Sequence, residues 1–283
     1  MPHKYETYRA QAKALPGGLA ADSVSPYTIE VRFLGGLTDS QKQAFKSAAD
    51  RWCTVIVGDL PSVMVDGEVI DDILILAEGS DIDGVNGILG QAGPTAIRPA
   101  AAGAAAFLPA KGSMQFDTAD LAAMEAAGTL NDVITHEMGH VLGIGTVWSL
   151  KKLLKGINSG NPTFIGAQAK SEYGKLRGSG PKAVPVENTG GPGTANSHWR
   201  ETVFRNELMS GFIAAAGNPL SRMTAGSLAD LGYAVNLEAA EPYTLPNLLQ
   251  IAEEGDAVAH VAPINTGIML PHIPTVLPDD SLQ

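Results

Sequence analysis

The sequence predicts an α+β (α/β-like) domain built on a mixed twisted sheet, followed by a mainly irregular C-terminal part with a closing helix. Three observations predict it. Residues 27–33 alternate strictly between apolar and polar, and residues 73–77 form a short, wholly apolar run. Two segments, 38–55 and 129–143, have helical spacing. With 283 residues, 45% hydrophobic and 17% charged, the composition is that of a folded, soluble chain.

Each element has its own signal. Ile29, Val31 and Phe33 share one side of a half-buried strand, with Thr28, Glu30 and Arg32 on the other. After Gly35-Gly36, Thr38 and Gln41 have the spacing of a capping box. Ala44, Phe45, Ala48, Trp52 and Val55 then mark a helix face that packs on the sheet. The run 73–77 reads as a strand covered on both faces. Residues 79–94, rich in Gly, Asp and Asn, are expected to be loop, and 99–106, almost all Ala and Gly, a connection. A strand over 113–117 and a short helix over 118–127, stopped by Gly128, lead to the segment 129–143, where Thr129 and Asp132 suggest a second capping box. Residues 147–197 lack periodicity and read as a long surface excursion of the kind that is often functional. A last helix is expected over 224–231, capped by Thr224 and ended by Gly232.

Four parts follow from this reading: an N-terminal arm (1–26), an N-terminal subdomain (27–145), a C-terminal subdomain (146–237) and a proline-rich tail (238–283) with an amphipathic stretch near 248–254. A net charge of −11 without a basic stripe excludes nucleic acid as a main partner. No apolar run is long enough to span a membrane, and nothing specifies an oligomeric state. The lone cysteine, Cys53, excludes an intrachain disulfide and reads as a buried structural thiol. Asp81, Asp83 and Asn86 are oxygen donors of the kind calcium takes, but turn chemistry accounts for them as well, so calcium has no support.

Chemistry concentrates in His136-Glu137-Met138-Gly139-His140. On a helix, Ile134, Met138, Val141 and Leu142 form the packing face, while His136, Glu137 and His140 lie opposite. Two histidines four apart bring both imidazoles to one zinc ion, and Glu137 stands where a carboxylate can take a proton from water. A solvated helix face would carry Lys or Arg, and this one carries none. A catalytic zinc needs a third protein ligand. His198 and the carboxylates Glu172, Glu187 and Glu201 are the downstream candidates; His3, His260 and His272 fall in the arm and tail and read as surface residues.

Gly143, three residues after His140, completes a His-Glu-x-x-His-x-x-Gly pattern that resembles the metzincin clan of zinc endopeptidases. Most of that clan places a third histidine three residues further on, where this chain has Thr146. The leishmanolysin-like branch inserts a long segment first, and the chain is similar to it: His198 is followed eleven residues later by Met209 in Glu-Leu-Met, and then by a helix with Leu-Ala-Asp-Leu-Gly-Tyr. The resemblance implies the metzincin fold, zinc held by His136, His140 and His198, Glu137 as general base, and Met209 in a tight turn beneath the metal. Some clan members carry a tyrosine two residues after that methionine; Gly211 stands there, which would leave oxyanion stabilisation mainly to zinc.

The implied activity is zinc-dependent endoproteolysis of a protein or peptide substrate. An inactive zinc-containing binding module and a zinc hydrolase of a non-peptide bond are the alternatives. The resemblance favours an extracellular setting, although residues 1–9 lack the apolar core of a signal peptide. Substrate is expected to pair with an edge strand, for which 113–117 is the candidate. The excursion 147–197 is expected to wall the cleft, with Trp148 and Trp199 near the site or in core packing.

Overall fold

A computed structural model describes residues 5–13, 26–84, 89–157, 159–191, 193–213, 215–247, 268–269 and 273–283. His3, Asn86, His260, His272 and the stretch 248–254 lie outside the described residues. In chain order, the first half contains β1 (Glu6–Gln11), β2 (Thr28–Gly35), α1 (Asp39–Val55), β3 (Val63–Val65), β4 (Glu68–Ile70), β5 (Ile73–Ser80), β6 (Gly90–Ile97), β7 (Pro109–Asp117), α2 (Thr118–Ala127) and α3 (Leu130–Val141). There follow β8 (Leu154–Lys155), β9 (Thr163–Phe164), α4 (Ala167–Leu176), β10 (Val184–Pro185), α5 (Glu201–Phe204), α6 (Arg222–Leu231), β11 (Ile268–Met269) and β12 (Thr275–Val276). None of the described helices is long and apolar enough to cross a membrane.

The main sheet is mixed, in the order β1-β2-β5-β7-β6-β11, with β12 also on β6. β2, β5 and β7 run parallel, while β1 and β6 are antiparallel to their neighbours β2 and β7. Helices α1 and α3 cover one face. Ile29, Val31 and Phe33 of β2, Ile75 and Ala77 of β5, and Met114 and Phe116 of β7 are buried there with Phe45 and Trp52 of α1. The β3–β4 hairpin closes the other face over Leu74, Ala96 and Ala110, joined by Leu277 and Leu282 of the tail. The fold is therefore α+β on a mixed sheet, as the alternating and apolar runs predict.

The Thr38–Gln41 capping box forms, with both reciprocal hydrogen bonds present. Gly128 ends α2 in the left-handed conformation at φ +74°. Cys53 is buried, and burial pushes its thiol up to about 12, consistent with an unreactive packing residue.

Several expectations are corrected. Residues 79–94 are not all loop: β5 runs on to Ser80 and β6 begins at Gly90. Poor strand formers are tolerated there because pairing with β7 decides, and a side chain at Gly90 would strike the Gln115 carbonyl of that strand. Because β6 lies outside it, β7 is an interior strand and 113–117 is no edge. Residues 6–11, read as arm, form β1, an edge strand whose Ala10 is buried while Glu6 pairs with Lys42 and Lys46 of α1. The Thr129–Asp132 capping box does not form. Only Gly128 and Thr129 separate α2 from α3, so Thr129 has helical backbone angles instead of the extended ones of a capping residue and turns its hydroxyl back to the Met124 carbonyl. Asp132 instead accepts from the backbone of Gly217 and Asn218.

The excursion 147–197 holds α4 and a three-stranded sheet, β10-β9-β8, and buries Val147, Trp148, Phe164, Tyr173, Val184 and Val186. Its few apolar residues are spread too widely to show a period, yet they meet one core when α4 packs on α6. Helix α6 starts at Arg222, two residues before the expected position, because Ser221 is the residue that caps the Thr224 N–H. As for Asp81 and Asp83, the local chain is organised by Asp117, whose carboxylate accepts from the backbone N–H groups of Ile82, Asp83, Gly84 and Ala119. Burial opposes its charge, but these donors win and hold it down at about 2.

Candidate metal centre

Helix α3 presents the two motif histidines because its opposite face is committed to the core. Ile134, Met138 and Val141 are fully buried, and Trp52 of α1 anchors the helix by donating to the Thr135 carbonyl at 2.9 Å. Gly139 sits where a Cβ would come within 2.8 Å of the Met209 sulfur and 3.0 Å of the Trp52 ring. The glycine inside the motif thus lets Met209 pack directly beneath the helix. Gly139→Ala is expected to shift that thioether and to cost about 1–3 kcal/mol, an overpacking effect measurable as a lower denaturant midpoint with unchanged slope.

Past α3 the chain turns sharply at Gly143, with φ +106°. That turn puts the Ile144 carbonyl 2.8 Å from His140 Nδ1. Thr146, at the place where a short-spaced third histidine would stand, donates to the His140 carbonyl at 2.8 Å and closes the helix end. Gly145, φ +77°, lies so close to Ser197 that an added Cβ would be 2.1 Å from its carbonyl oxygen. This contact brings residues 197–198 to the end of α3. The returning segment is fixed by Trp199, buried against Trp148 and Phe164 with ring centroids 4.7 and 5.5 Å away. Both tryptophans are core residues.

Three imidazole nitrogens converge as a result. The Nε2 atoms of His136, His140 and His198 lie 3.0 Å (136–140), 2.9 Å (140–198) and 3.1 Å (136–198) apart. These contacts are not hydrogen bonds, as the other ring nitrogens show. His136 Nδ1 faces the Leu208 carbonyl at 2.6 Å, His140 Nδ1 the Ile144 carbonyl, and His198 Nδ1 the Thr194 carbonyl at 3.1 Å. His198 Nδ1 also meets Ser197 Oγ at 3.0 Å, an oxygen whose own proton goes to the Gly193 carbonyl at 2.7 Å and which therefore accepts. A carbonyl only accepts, so each Nδ1 carries the proton and each Nε2 offers a lone pair to the same point. Three nitrogens held tetrahedrally at ~2.0–2.1 Å from zinc would stand about 3.3–3.4 Å apart, within a few tenths of an ångström of the observed spacing.

The electrostatics agree. Burial pushes His136 down to about 4 and His198 to about 3, and holds His140 well below its usual value. All three are therefore neutral at pH 7, the form that binds metal. Glu137 is 2% exposed; its Oε1 is 3.8 Å from His136 Nε2 and its Oε2 has no hydrogen-bond partner. Burial alone raises its carboxyl to about 8. A buried, unpaired carboxylate beside three converging lone pairs is what a cation would satisfy. The histidines and Glu137 open on a cavity of about 70 Å³ with apolar walls of Leu89, Val133, Phe212 and Ile213.

The structure thus gathers His136, His140, His198, Glu137, Gly143 and Met209 in one place. The rival carboxylates lie elsewhere: Glu172 pairs with Lys175 and Arg222, and Glu187 accepts from Asn188, Thr189 and Glu201. Burial raises Glu201 to about 7, and it is not among the groups that could share a metal with the histidines. Sequence reasoning missed Gly145, whose signal was the Gly-Ile-Gly spacing after the helix. It also missed the carbonyls of Leu208, Ile144 and Thr194, which leave no trace in a sequence.

The family model described as leishmanolysin matches residues 103–250. No curated protein matches the sequence. Because that match spans more than half of the chain and includes every member of the histidine cluster, the protein belongs to the leishmanolysin family of metallopeptidases.

Proposed function

We propose that the protein is a zinc-dependent endopeptidase, with His136, His140 and His198 as zinc ligands and Glu137 as general base. The observation that carries this reading is the convergence of three unprotonated Nε2 atoms, each on a ring whose Nδ1 faces a backbone carbonyl. Neutral imidazoles suit zinc, and three protein ligands leave a fourth position open, as in catalytic rather than structural sites. When bound, zinc lowers the pKa of a coordinated water towards ~7 and polarises the scissile carbonyl.

The chain's own groups do the rest. Glu137 Oε2, free of partners, accepts a proton from water at the site and returns it to the leaving amine. The charge of an occupied site keeps that carboxyl ionised against its burial. The low-dielectric walls exclude competing water. Met209 acts as the floor of a Met-turn, a packing role in which its sulfur supports Gly139. The cleft lies between an N-terminal subdomain (27–145) and a C-terminal one (146–237). Gly211 lines it without a hydroxyl, so no tyrosine assists the oxyanion from that position.

A peptide substrate would pair with β6, whose approach residue Leu89 lines the cavity. The tail strand β11 already pairs in parallel with Gly90 and Gln91, so an extended peptide must displace it there or bind beyond it. The test of function is Glu137→Gln. Casein hydrolysis is expected to fall on the order of 10²–10⁴-fold while zinc content stays unchanged. Hydrolysis at the wild-type rate in that variant would overturn the mechanism.

A further inference from the structure

The carboxylate of Glu207 has no part in the chemistry above, yet it is completely buried next to it. Its Oε2 accepts from the Met209 N–H at 2.7 Å. Its Oε1 accepts from the Ser221 N–H at 3.2 Å, from Ser221 Oγ at 2.6 Å and from the Thr224 hydroxyl. Thr224 Oγ1 in turn accepts from the indole N–H of Trp199 at 2.8 Å. The chain of donors therefore has one direction, from Trp199 through Thr224 to Glu207.

Two metal-ligand candidates hang on this clamp. Leu208, between Glu207 and Met209, supplies the carbonyl that holds His136 Nδ1 at 2.6 Å, and its own N–H is tied to the Pro219 carbonyl. Trp199 follows His198 directly, and its backbone N–H donates to the Met209 carbonyl at 2.9 Å. Moving the 207–210 turn would thus shift the partner of one histidine and the backbone beside another. We propose that Glu207 is a positioning residue for the metal centre, locking this turn to the first turn of α6 so that His136 and His198 present their Nε2 atoms to one point. The proposal rests on the reading of the three histidines as zinc ligands.

An acceptor is required on both carboxylate oxygens. Glutamine is isosteric, but its NH₂ group would face either the Met209 N–H or the Ser221 and Thr224 donors, so a donor meets a donor whichever way it flips. The loss is then greater than that of one hydrogen bond, because buried groups are left unpaired. Outer partners of metal ligands typically govern 10–100-fold in affinity.

The experiment compares wild type, Glu207→Gln, Thr224→Val and His198→Ala. It measures zinc affinity by competition with a chromophoric chelator, the visible absorption of the cobalt(II)-substituted proteins, and far-UV circular dichroism. Glu207→Gln is expected to retain the wild-type dichroism, bind zinc about 10–100-fold more weakly and show altered cobalt bands. Zinc affinity within about twofold of wild type and an unchanged cobalt spectrum in the folded variant would overturn the proposal. If Glu207→Gln does not fold, Thr224→Val decides. It removes the hydroxyl that donates to Glu207 and accepts from Trp199 but leaves the Met209 and Ser221 donors in place, and a several-fold loss of affinity with shifted cobalt bands supports the proposal, whereas wild-type values overturn it. His198→Ala separates the two levels: zinc retained there removes the ligand reading itself, while zinc lost there but kept in Glu207→Gln removes only the role of Glu207.

Discussion

Replacing His198 by alanine is expected to release the metal and abolish hydrolysis. Of the three ring nitrogens at the site, His198 Nε2 is the one supplied by a different element, 58 residues beyond His140. With it gone, two imidazoles from one helix turn remain. The loss should exceed the roughly 100-fold that removal of an outer partner costs. Metal analysis should find zinc near one per chain in wild type and little after dialysis of the variant. Retained tight zinc would return the third ligand to a carboxylate such as Glu201. Stability should fall in parallel, because a metal that binds only the folded chain stabilises it by mass action. At a free zinc concentration 1,000 times Kd that term is about 4 kcal/mol, and chelation of wild type should lower Tm on the order of 10 °C. Chelation should leave the Tm of His198→Ala almost unmoved.

The second large effect is expected at Gly145. A side chain there meets backbone, not a rotatable side chain: the added Cβ would lie 2.1 Å from the Ser197 oxygen, 2.8 Å from its carbonyl carbon and 2.9 Å from its Cα. Ser197 must therefore move, and His198 with it. The positive φ alone costs about 1–2 kcal/mol for alanine. Gly128→Ala is the control, because Gly128 also has positive φ, +74°, but nothing lies within 4 Å of its Cβ position. Denaturant unfolding should show Gly145→Ala losing clearly more stability than Gly128→Ala, and zinc affinity should drop only in the former. Equal losses and normal zinc binding in both would mean that the Gly145–Ser197 contact does not set the third histidine.

How far the sequence could be read varies with the range of the interactions involved. The Thr38–Gln41 cap, the β2 alternation and the Gly128 stop are governed by residues within a few positions of one another, and each stands as expected. β6 was illegible because Gly90, Gly93 and Pro94 argue against a strand, and only pairing with β7 overrides them. Helix α4 was illegible for a related reason: its weak pattern makes sense only against α6, more than fifty residues later. Thr129 misled because its capping signal is real but is spent on the preceding helix.

At the metal centre the division is equally sharp. Sequence alone determined that His136 and His140 share one helix face with Glu137 between them, since i, i+4 spacing is a property of the helix itself. By resemblance it also pointed to His198 and Met209. Tertiary structure decided what these residues can do. It buried them, which keeps the histidines neutral, and it set a backbone carbonyl against each Nδ1, which turns every Nε2 lone pair towards one point. Backbone carbonyls are the same in every residue, so their placement is written only in the fold.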